Sequence, residues 1–364
     1  MTTLTRSTWG KNIQITIFGT SHGEHIGVEI HGFPAGLAYD YAHIAAYMAR
    51  RAPGGALATS RKEPDVPQLL SGFAKEGDLL YTNGEKIEMR IANTNQRSSD
   101  YGEMTVPRPG HADYPAHVKY GGQADLRGGG HFSGRLTAPL TWAGALCALY
   151  LRQRGIEVGA HICRIGSVTD TPLDPMNVTA DQLAHMRSRP FPTIDPACGE
   201  AMMAEIARVQ AEGDSIGAKI QCVAVGLPVG VGEHMFRGVE GTIASIMLGI
   251  PAVKGVEFGA GFDFVTMQGS QANDQFRYED GKVITNTNHC GGVLGGMTNG
   301  SPIVFRVAFK PTPSIFQPQD SVNLATGENE VLEIKGRHDP CAALRAVPVV
   351  EAAAAVALMD LMMD

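Results

Sequence analysis

Residues 346–363, AVPVVEAAAAVALMDLMM, form the longest apolar stretch of the chain. Pro348 suits the first turn of a helix, because a residue in that turn needs no backbone N–H donor. The stretch also carries Glu351 and Asp360, and ionised groups are costly inside a bilayer. The sequence therefore predicts a helix that begins at Pro348 and is buried in a protein core, not in a membrane.

The segments on either side predict a mixture of helices and strands. Residues 137–154 are largely apolar and predict a second long helix that ends before Gly155. A hairpin is expected over residues 79–91, with Asn83 and Gly84 in its turn. Shorter helices are expected from Asp40 to about Arg51 and at 179–186, 200–212 and 242–248. Patterns of β-branched residues predict strands at 13–18, 28–30, 156–168, 218–225 and 303–309.

Composition limits the kind of protein. Of the 364 residues, 43% are hydrophobic and 18% are charged, and no linker-like segment divides them, so we expect one domain over residues 1–364. A net charge of −7 argues against nucleic acid as the main partner. The six cysteines contain no C-x-x-C pair, and the first residues lack a signal-peptide pattern, which favours the cytoplasm. No metal-binding pattern is present, so we expect no metal site.

Two loops carry histidines with catalytic potential. Gly19-Thr-Ser-His-Gly23 matches the G-x-S-x-G pattern of serine hydrolases, but that pattern needs a following helix and residues 24–30 look extended. A hydrolase is thus the weaker alternative, beside a plain glycine turn. In Arg108-Pro-Gly-His-Ala-Asp113, His111 can titrate near neutral pH and Asp113 can orient its imidazole. A hydrogen-bonded loop histidine is the alternative there.

Glycine-rich segments indicate anion binding. Residues 125–135, DLRGGGHFSGR, join three glycines to Arg127 and Arg135 just before a predicted helix. Backbone N–H groups in such a loop approach anions closely, and guanidinium groups add bidentate donors. Residues 291–300 and 310–314 can wrap a flat ligand with a phosphate tail, and residues 336–341, GRHDPC, form a polar cluster. Each segment alone also fits a flexible loop, tight packing or a surface turn.

Taken together, these motifs resemble those of the chorismate synthases from Gly10 to about Asp360. RPGHAD and GRHDPC are the most specific of them. The other matching segments are FGTSHG, RRAPGG, TSRKEPD, LLSGF, NTNQRSSDY, YPAHVKYG, RGGG, EGDSIGAK, PAVKGVEFGAGFD, GGVLGGMTNG, FKPTPSI and the continuation AALRAVPVVEA.

The resemblance implies a fold and a reaction. The fold is α+β, with a helical layer between antiparallel sheets, in a homotetramer. The reaction is the 1,4-anti elimination of phosphate from 5-enolpyruvylshikimate-3-phosphate to give chorismate, a lyase step of aromatic amino acid biosynthesis. It requires reduced FMN without net redox change. Fungal members carry extra segments and reduce their flavin with NADPH. This chain lacks those segments, so it resembles the monofunctional type that depends on a separate flavin reductase.

The resemblance also implies roles for particular residues. The proton-handling groups are His22, His111 and Asp339, and which histidine protonates the phosphate stays open. The substrate-binding residues are Ser21, Arg51, Arg108, Arg135 and Arg345. The flavin-binding residues are His131, Ser133, Ala252, Gly295, Lys310, Thr312, Ser314 and Arg337.

The chain departs from the common family form GGGRSSARET. His131, Phe132 and Leu136 replace an arginine, a serine and a glutamate, and Leu57 replaces another arginine. These changes alter the expected flavin and substrate contacts but spare the three proton-handling groups. A third hypothesis is a non-enzymatic flavin- or anion-binding protein. It explains the glycine loops but gives no reason for the joint presence of the three proton-handling groups.

Overall fold

The computed structural model describes residues 6–52, 64–94, 105–334 and 338–364, and these ranges contain eight helices and eighteen strands. The helices are α1 (Tyr41–Arg51), α2 (Asp113–Lys119), α3 (Thr137–Arg152), α4 (Ala180–Ser188), α5 (Pro196–Ala211), α6 (Val239–Gly249), α7 (Gly269–Ala272) and α8 (Ala343–Met362). The strands are β1 (Arg6–Trp9), β2 (Gln14–Gly19), β3 (His25–His31), β4 (Gln68–Ser71), β5 (Phe73–Glu76), β6 (Leu79–Thr82), β7 (Ile87–Ala92), β8 (Glu157–Ile165), β9 (Val168–Thr169), β10 (Ala218–Val225), β11 (Val253–Phe258), β12 (Phe276–Glu279), β13 (Lys282–Thr285), β14 (Val293–Leu294), β15 (Met297–Thr298), β16 (Ile303–Phe309), β17 (Gln319–Asn323) and β18 (Glu328–Leu332).

Helices α3 and α8 pack against each other at the centre of the fold. They approach most closely at Gly144, where a Cβ atom would lie 2.3 Å from the carbonyl oxygen of Ala352. No side chain fits at position 144, and the small side chains of the alanine run in α8 allow the two helices to approach this closely. The buried helix predicted at residues 346–363 is confirmed, but it begins at Ala343 and contains Pro348 as its sixth residue. A proline there removes one intrahelical hydrogen bond, which burial on all sides of α8 offsets.

A five-stranded antiparallel sheet covers each side of the two helices. The first has the order β1-β2-β3-β7-β4 and lies against α3, while the second has the order β11-β16-β10-β8-β9 and lies against α8. Val28 is opposite Met89 in the first sheet, and Cys222 is opposite Ala160 in the second; all four are buried. The α+β sandwich with a helical layer between antiparallel sheets is confirmed.

The hairpin predicted over residues 79–91 is wrong. Strand β6 pairs with β5, whereas β7 pairs with β3 and β4 in the first large sheet. Asn83 and Gly84 connect two different sheets instead of closing a hairpin. The alternating residues of β7, which include Met89, are almost fully buried against the helical layer, and this burial decides the pairing of the strand.

The remaining predicted elements are observed, with some shifted ends. Asp40 caps α1 through a hydrogen bond from the N–H of His43 at 3.0 Å. Thr179 and Gln182 form the predicted capping box of α4. Helix α5 begins four residues before the predicted start, because Asp195 caps it and Pro196 occupies its first turn. Helix α2, which was not predicted, begins at the last residue of the segment 108–113.

The two buried carboxylates of α8 are stabilised by hydrogen bonds from other parts of the fold. Glu351 accepts two hydrogen bonds from Arg50, at 2.6 and 2.9 Å, and one from the N–H of Ala160 at 2.9 Å. Asp360 accepts the backbone N–H groups of residues 11–13 at 2.6–3.0 Å. Buried charges need such partners. Within the described ranges, every helix is too short or too polar to cross a membrane.

Candidate functional site

A cavity of about 860 Å³ opens beside the first turns of α8 and α3. Its volume is near the upper end of the range for small-molecule sites. Among the described residues that line it, Asp339 is the only carboxylate, whereas eight are cations. These cations are Arg6, Arg51, Arg108, Lys119, Arg135, Lys254, Lys310 and Arg345. The cavity therefore suits an anionic ligand, although the chain as a whole is acidic.

One buried carboxylate joins two of these arginines. Asp65 accepts a hydrogen bond from Nη1 of Arg51 at 2.6 Å and another from Nη1 of Arg135. Arg51 also donates to the hydroxyl of Thr137 and the carbonyl of Gly134. Asp65 was not singled out from the sequence, because nothing in its local pattern shows that residues 51, 65 and 135 meet.

The second motif forms a compact triad at the cavity. Nδ1 of His111 donates to Asp113 at 2.6 Å, and Arg108 donates to the same carboxylate at 2.7 and 2.9 Å. Burial by itself would raise the pKa of Asp113, but the hydrogen bonds from Arg108 and His111 outweigh it and hold the pKa well below its usual range. The predicted orientation of His111 by Asp113 is confirmed. Nδ1 is thus engaged by Asp113, while Nε2 lies 3.5 Å from Nη2 of Arg108.

The three glycines place both histidines around one segment. Gly128 lines the cavity at φ +59°, and its missing Cβ would lie 2.3 Å from Cε1 of His22. The Cβ of Gly129 would lie 3.4 Å from Nε2 of His111. Ser21 donates its backbone N–H to Gly130 at 3.0 Å. Ser21 and His22 are therefore buried directly behind the three glycines, residues 128–130.

The alternative hypothesis that Gly19–Gly23 is the nucleophile motif of a serine hydrolase is wrong. The chain continues after Gly23 into strand β3, which begins at His25, and not into a helix. The strand–turn–helix geometry that exposes a nucleophilic serine is absent here. Ser21 itself is only 7% exposed.

The last motif contributes Asp339 and Arg345 to the cavity lining. Nη1 of Arg345 donates to Asp339 at 3.2 Å, and its Nε donates to the backbone oxygen of Arg51 at 3.1 Å. The early start of α8 thus brings Arg345 into the helix and next to Arg51. Arg337 and Leu57 lie outside the described residues.

Most of the predicted flavin-binding residues line the same cavity; these are His131, Ser133, Ala252, Lys310, Thr312 and Ser314. Gly295 does not line it. Gly295 is exposed between β14 and β15, and its neighbour Gly296 accepts the N–H of Val239 at the start of α6. The cavity lies at the other end of this 11-residue helix, about 16 Å away at the rise of an α-helix. Its predicted flavin contact stays a prediction.

The departures from the common third motif create an aromatic wall. The rings of His131 and Phe132 are 4.1 Å apart, and Tyr120 packs edge-on against His131 at 5.7 Å. Burial lowers the pKa of His131, and Lys119 lowers it further. Nε2 of His131 is buried without a hydrogen-bond partner among the described residues. Tyr120 and Lys119 were not singled out from the sequence, because no spacing rule connects them with His131.

Comparison with known proteins gives this site its context. Residues 13–363 match the family model described as chorismate synthase. The chain belongs to the chorismate synthase family. A chorismate synthase from Lancefieldella parvula is 41% identical, over 97% of this chain and 95% of the relative. One from Thermococcus kodakarensis is 43% identical, over 96% of each. A solved structure titled "Crystal Structure of Chorismate Synthase" superposes with a TM-score of 0.75 at 27% identity, covering 97% of this chain and 92% of the other.

Family membership supports chorismate synthase function, which is a lyase activity of aromatic biosynthesis. It agrees with a cavity whose described lining contains eight cations, three histidines and one carboxylate. The cavity collects residues from segments spread along the chain from Arg6 to Val349, and all but three of the described residues predicted for the site line it. The exceptions are Ser21 and His22, which lie behind Gly128, and Gly295.

Proposed function

We propose that the chain eliminates phosphate from 5-enolpyruvylshikimate-3-phosphate by a 1,4-anti route, and that it needs reduced FMN without net redox change. The observation that carries the proposal is the eight-to-one excess of cations over carboxylates on one cavity, in a chain of net charge −7. The proposed substrate carries two carboxylates and a phosphate. A cationic cavity both attracts such a molecule and neutralises the phosphate as it leaves.

The residues of the cavity fit a flavin phosphate and a flat ring. Lys310 and the hydroxyls of Ser133, Thr312 and Ser314 are suitable partners for the phosphate and polar edges, and Phe132 offers an apolar face. These residues would hold reduced FMN, and the chemistry that it would supply is transient electron donation, which side chains cannot provide. Lys310 already donates to the carbonyl of Gly110 at 2.6 Å, so its ammonium is held at the cavity mouth beside the His111 loop.

Three groups of the chain handle protons in this proposal. His111 exchanges a proton through Nε2, because Asp113 holds Nδ1. His22 acts from behind Gly128, where the glycine leaves its imidazole close to the cavity. Asp339 is the carboxylate that assists removal of the ring proton, and Arg345 holds it at 3.2 Å. Arg51, Arg108 and Arg135 orient the anionic groups of the substrate.

The proposal is tested by anaerobic phosphate release with dithionite-reduced FMN, with oxidised FMN, and with oxidised FMN plus NADPH. We expect release only with reduced FMN, because the sequence motifs resemble those of the monofunctional type. Release without any flavin would contradict the proposed reaction. Release driven by NADPH in highly purified protein would contradict only the need for a separate reductase.

Single variants test the proton-handling groups. His22→Ala, His111→Ala and Asp339→Ala should each lower kcat by about 10²-fold, the usual scale for losing a positioned acid or base. His31→Ala is the matched control, because His31 is exposed at the end of β3. A non-enzymatic binding protein would bind flavin and show no turnover in the wild type.

We also propose that the chain works as a homotetramer in the cytoplasm. Several large apolar side chains are exposed in the single chain, among them Phe236, Phe262 and Val265 at 88%, 80% and 86%. Exposed apolar groups of this size favour contacts between subunits. Sedimentation analysis at micromolar concentration measures the assembly directly, and a monomer would contradict this part of the proposal.

A further inference from the structure

Asp65 is a buried carboxylate that lies between two arginines of the cavity. Its side chain is 1% exposed, and so is that of Arg51, while that of Arg135 is 7% exposed. Oδ2 of Asp65 accepts from Arg51 and Oδ1 accepts from Arg135. One carboxylate therefore uses both of its oxygens to fix two guanidinium groups.

The charges explain why this bridge is needed. Two guanidinium groups that reach the same carboxylate are close enough to repel each other strongly in a buried setting. The negative charge of Asp65 between them offsets most of this repulsion. Its oxygens also accept hydrogen bonds from N–H groups whose burial without a partner would cost free energy. Asp65 therefore offsets one of the two positive charges that these arginines bring to the cavity wall.

The backbone of Asp65 supports a fixed placement of its side chain. Its φ angle is +45°, in the left-handed region, where most residues other than glycine, asparagine and aspartate are disfavoured. Pro64 and Pro67 restrict the chain on both sides.

We propose that Asp65 is a positioning residue that holds Arg51 and Arg135 at the separation needed to bind the anionic groups of the substrate. This inference rests on the proposed function, since it assigns both arginines to substrate binding. Two other roles give different results when the charge is removed. If Asp65 acted only by repelling anions, its neutralisation would strengthen anion binding. If it acted only by stabilising the fold, its neutralisation would leave kcat and KM unchanged.

The test uses Asp65→Asn and Asp65→Gly in the full-length protein with reduced FMN. Asparagine keeps the shape and tolerates the left-handed backbone; glycine adopts it freely and leaves space for water around the arginines. In both variants we expect kcat/KM to fall by about 10–100-fold, mostly through KM, the scale of one charge-assisted hydrogen bond. Unchanged kcat/KM in a folded variant, or a lower KM, overturns the proposal.

A double-mutant cycle separates positioning from a general effect. If Asp65 acts by holding Arg135, then Asp65→Asn should cost much less in an Arg135→Gln background than in the wild type. Fully additive losses overturn the proposal. Asp170→Asn is the control, because Asp170 is also a buried aspartate bound to a partner side chain, but that partner, His161, does not line the cavity, whereas Arg51 and Arg135 do. It should lower stability and leave kcat/KM unchanged.

Inorganic phosphate binding, measured by calorimetry, tests Asp65 without turnover. Weaker phosphate binding by both variants than by the wild type supports the proposal, even if the wild type fails to release phosphate from the proposed substrate. That failure would overturn the proposed function alone. Equal or tighter phosphate binding by the variants overturns the role of Asp65 alone.

Discussion

Replacing Gly128 by alanine should disable His22 without removing any polar group. The new Cβ would lie 2.3 Å from Cε1 and 2.6 Å from Nδ1 of His22, where ordinary contacts begin at 3.4 Å. The imidazole must therefore move by about 1.1 Å. A displacement of about 1 Å in a catalytic group can cost roughly 10²-fold in rate, and we expect a loss of kcat of that size in Gly128→Ala.

Backbone strain needs a separate control, because Gly128 has a φ of +59°. A left-handed alanine costs about 1–2 kcal/mol of stability. Gly121→Ala is closely matched, since Gly121 has a φ of +58° and nothing lies within 4 Å of its added Cβ. Both variants should lose similar stability in urea unfolding, but only Gly128→Ala should lose turnover.

The assay is anaerobic phosphate release with saturating reduced FMN, with the folded fraction of each variant measured in parallel. The reasoning fails if Gly128→Ala keeps kcat within about threefold of Gly121→Ala. It also fails if Gly128→Ala, combined with His22→Ala, loses a further 10²-fold, because two changes that act on the same imidazole should not add.

Three further predictions follow from the described contacts. Asp113→Asn should lower kcat by about 10²-fold or more, because an amide no longer holds His111 in one tautomer; equal kcat at pH 7 would contradict this. Burial and Lys119 lower the pKa of His131 below its usual 6.5, so its positive charge appears only as the pH falls below that value. Affinity for reduced FMN, titrated from pH 5 to 8, should therefore rise toward low pH in the wild type and lose this rise in His131→Arg; identical curves would place His131 away from the flavin. Glu351→Gln should cost about 3 kcal/mol of unfolding free energy, because it leaves the charge of Arg50 unmatched; a loss under about 1 kcal/mol in urea titration would refute it.

Much of the local structure could be predicted from the sequence. The bounds of β10 and β16 agree with the predicted strands, and Asp40 and Thr179 cap helices as their spacing indicated. Helix α8 is buried as its apolar run predicted. These features depend on residues within a few positions of one another, so periodicity and capping chemistry are enough to predict them.

The pairing of strands and the start of α8 could not be predicted in the same way. Asn83 and Gly84 have the chemistry of a hairpin turn, yet β7 joins a sheet whose other strands are distant in sequence. The proline rule placed the start of α8 at Pro348, five residues late. In both cases tertiary burial outweighed a local preference.

The sequence by itself determined the residue types of the site, through motifs that resemble one family and through an apolar helix that must be buried. Only the tertiary structure decided how those residues meet. It brought Asp65 between Arg51 and Arg135, set His22 and His111 around the same glycines, and left Gly295 at the far end of α6. The physical reason is that these contacts join segments as far apart in the chain as His22 and Gly128, and their geometry follows from the packing of two sheets on a shared helical layer.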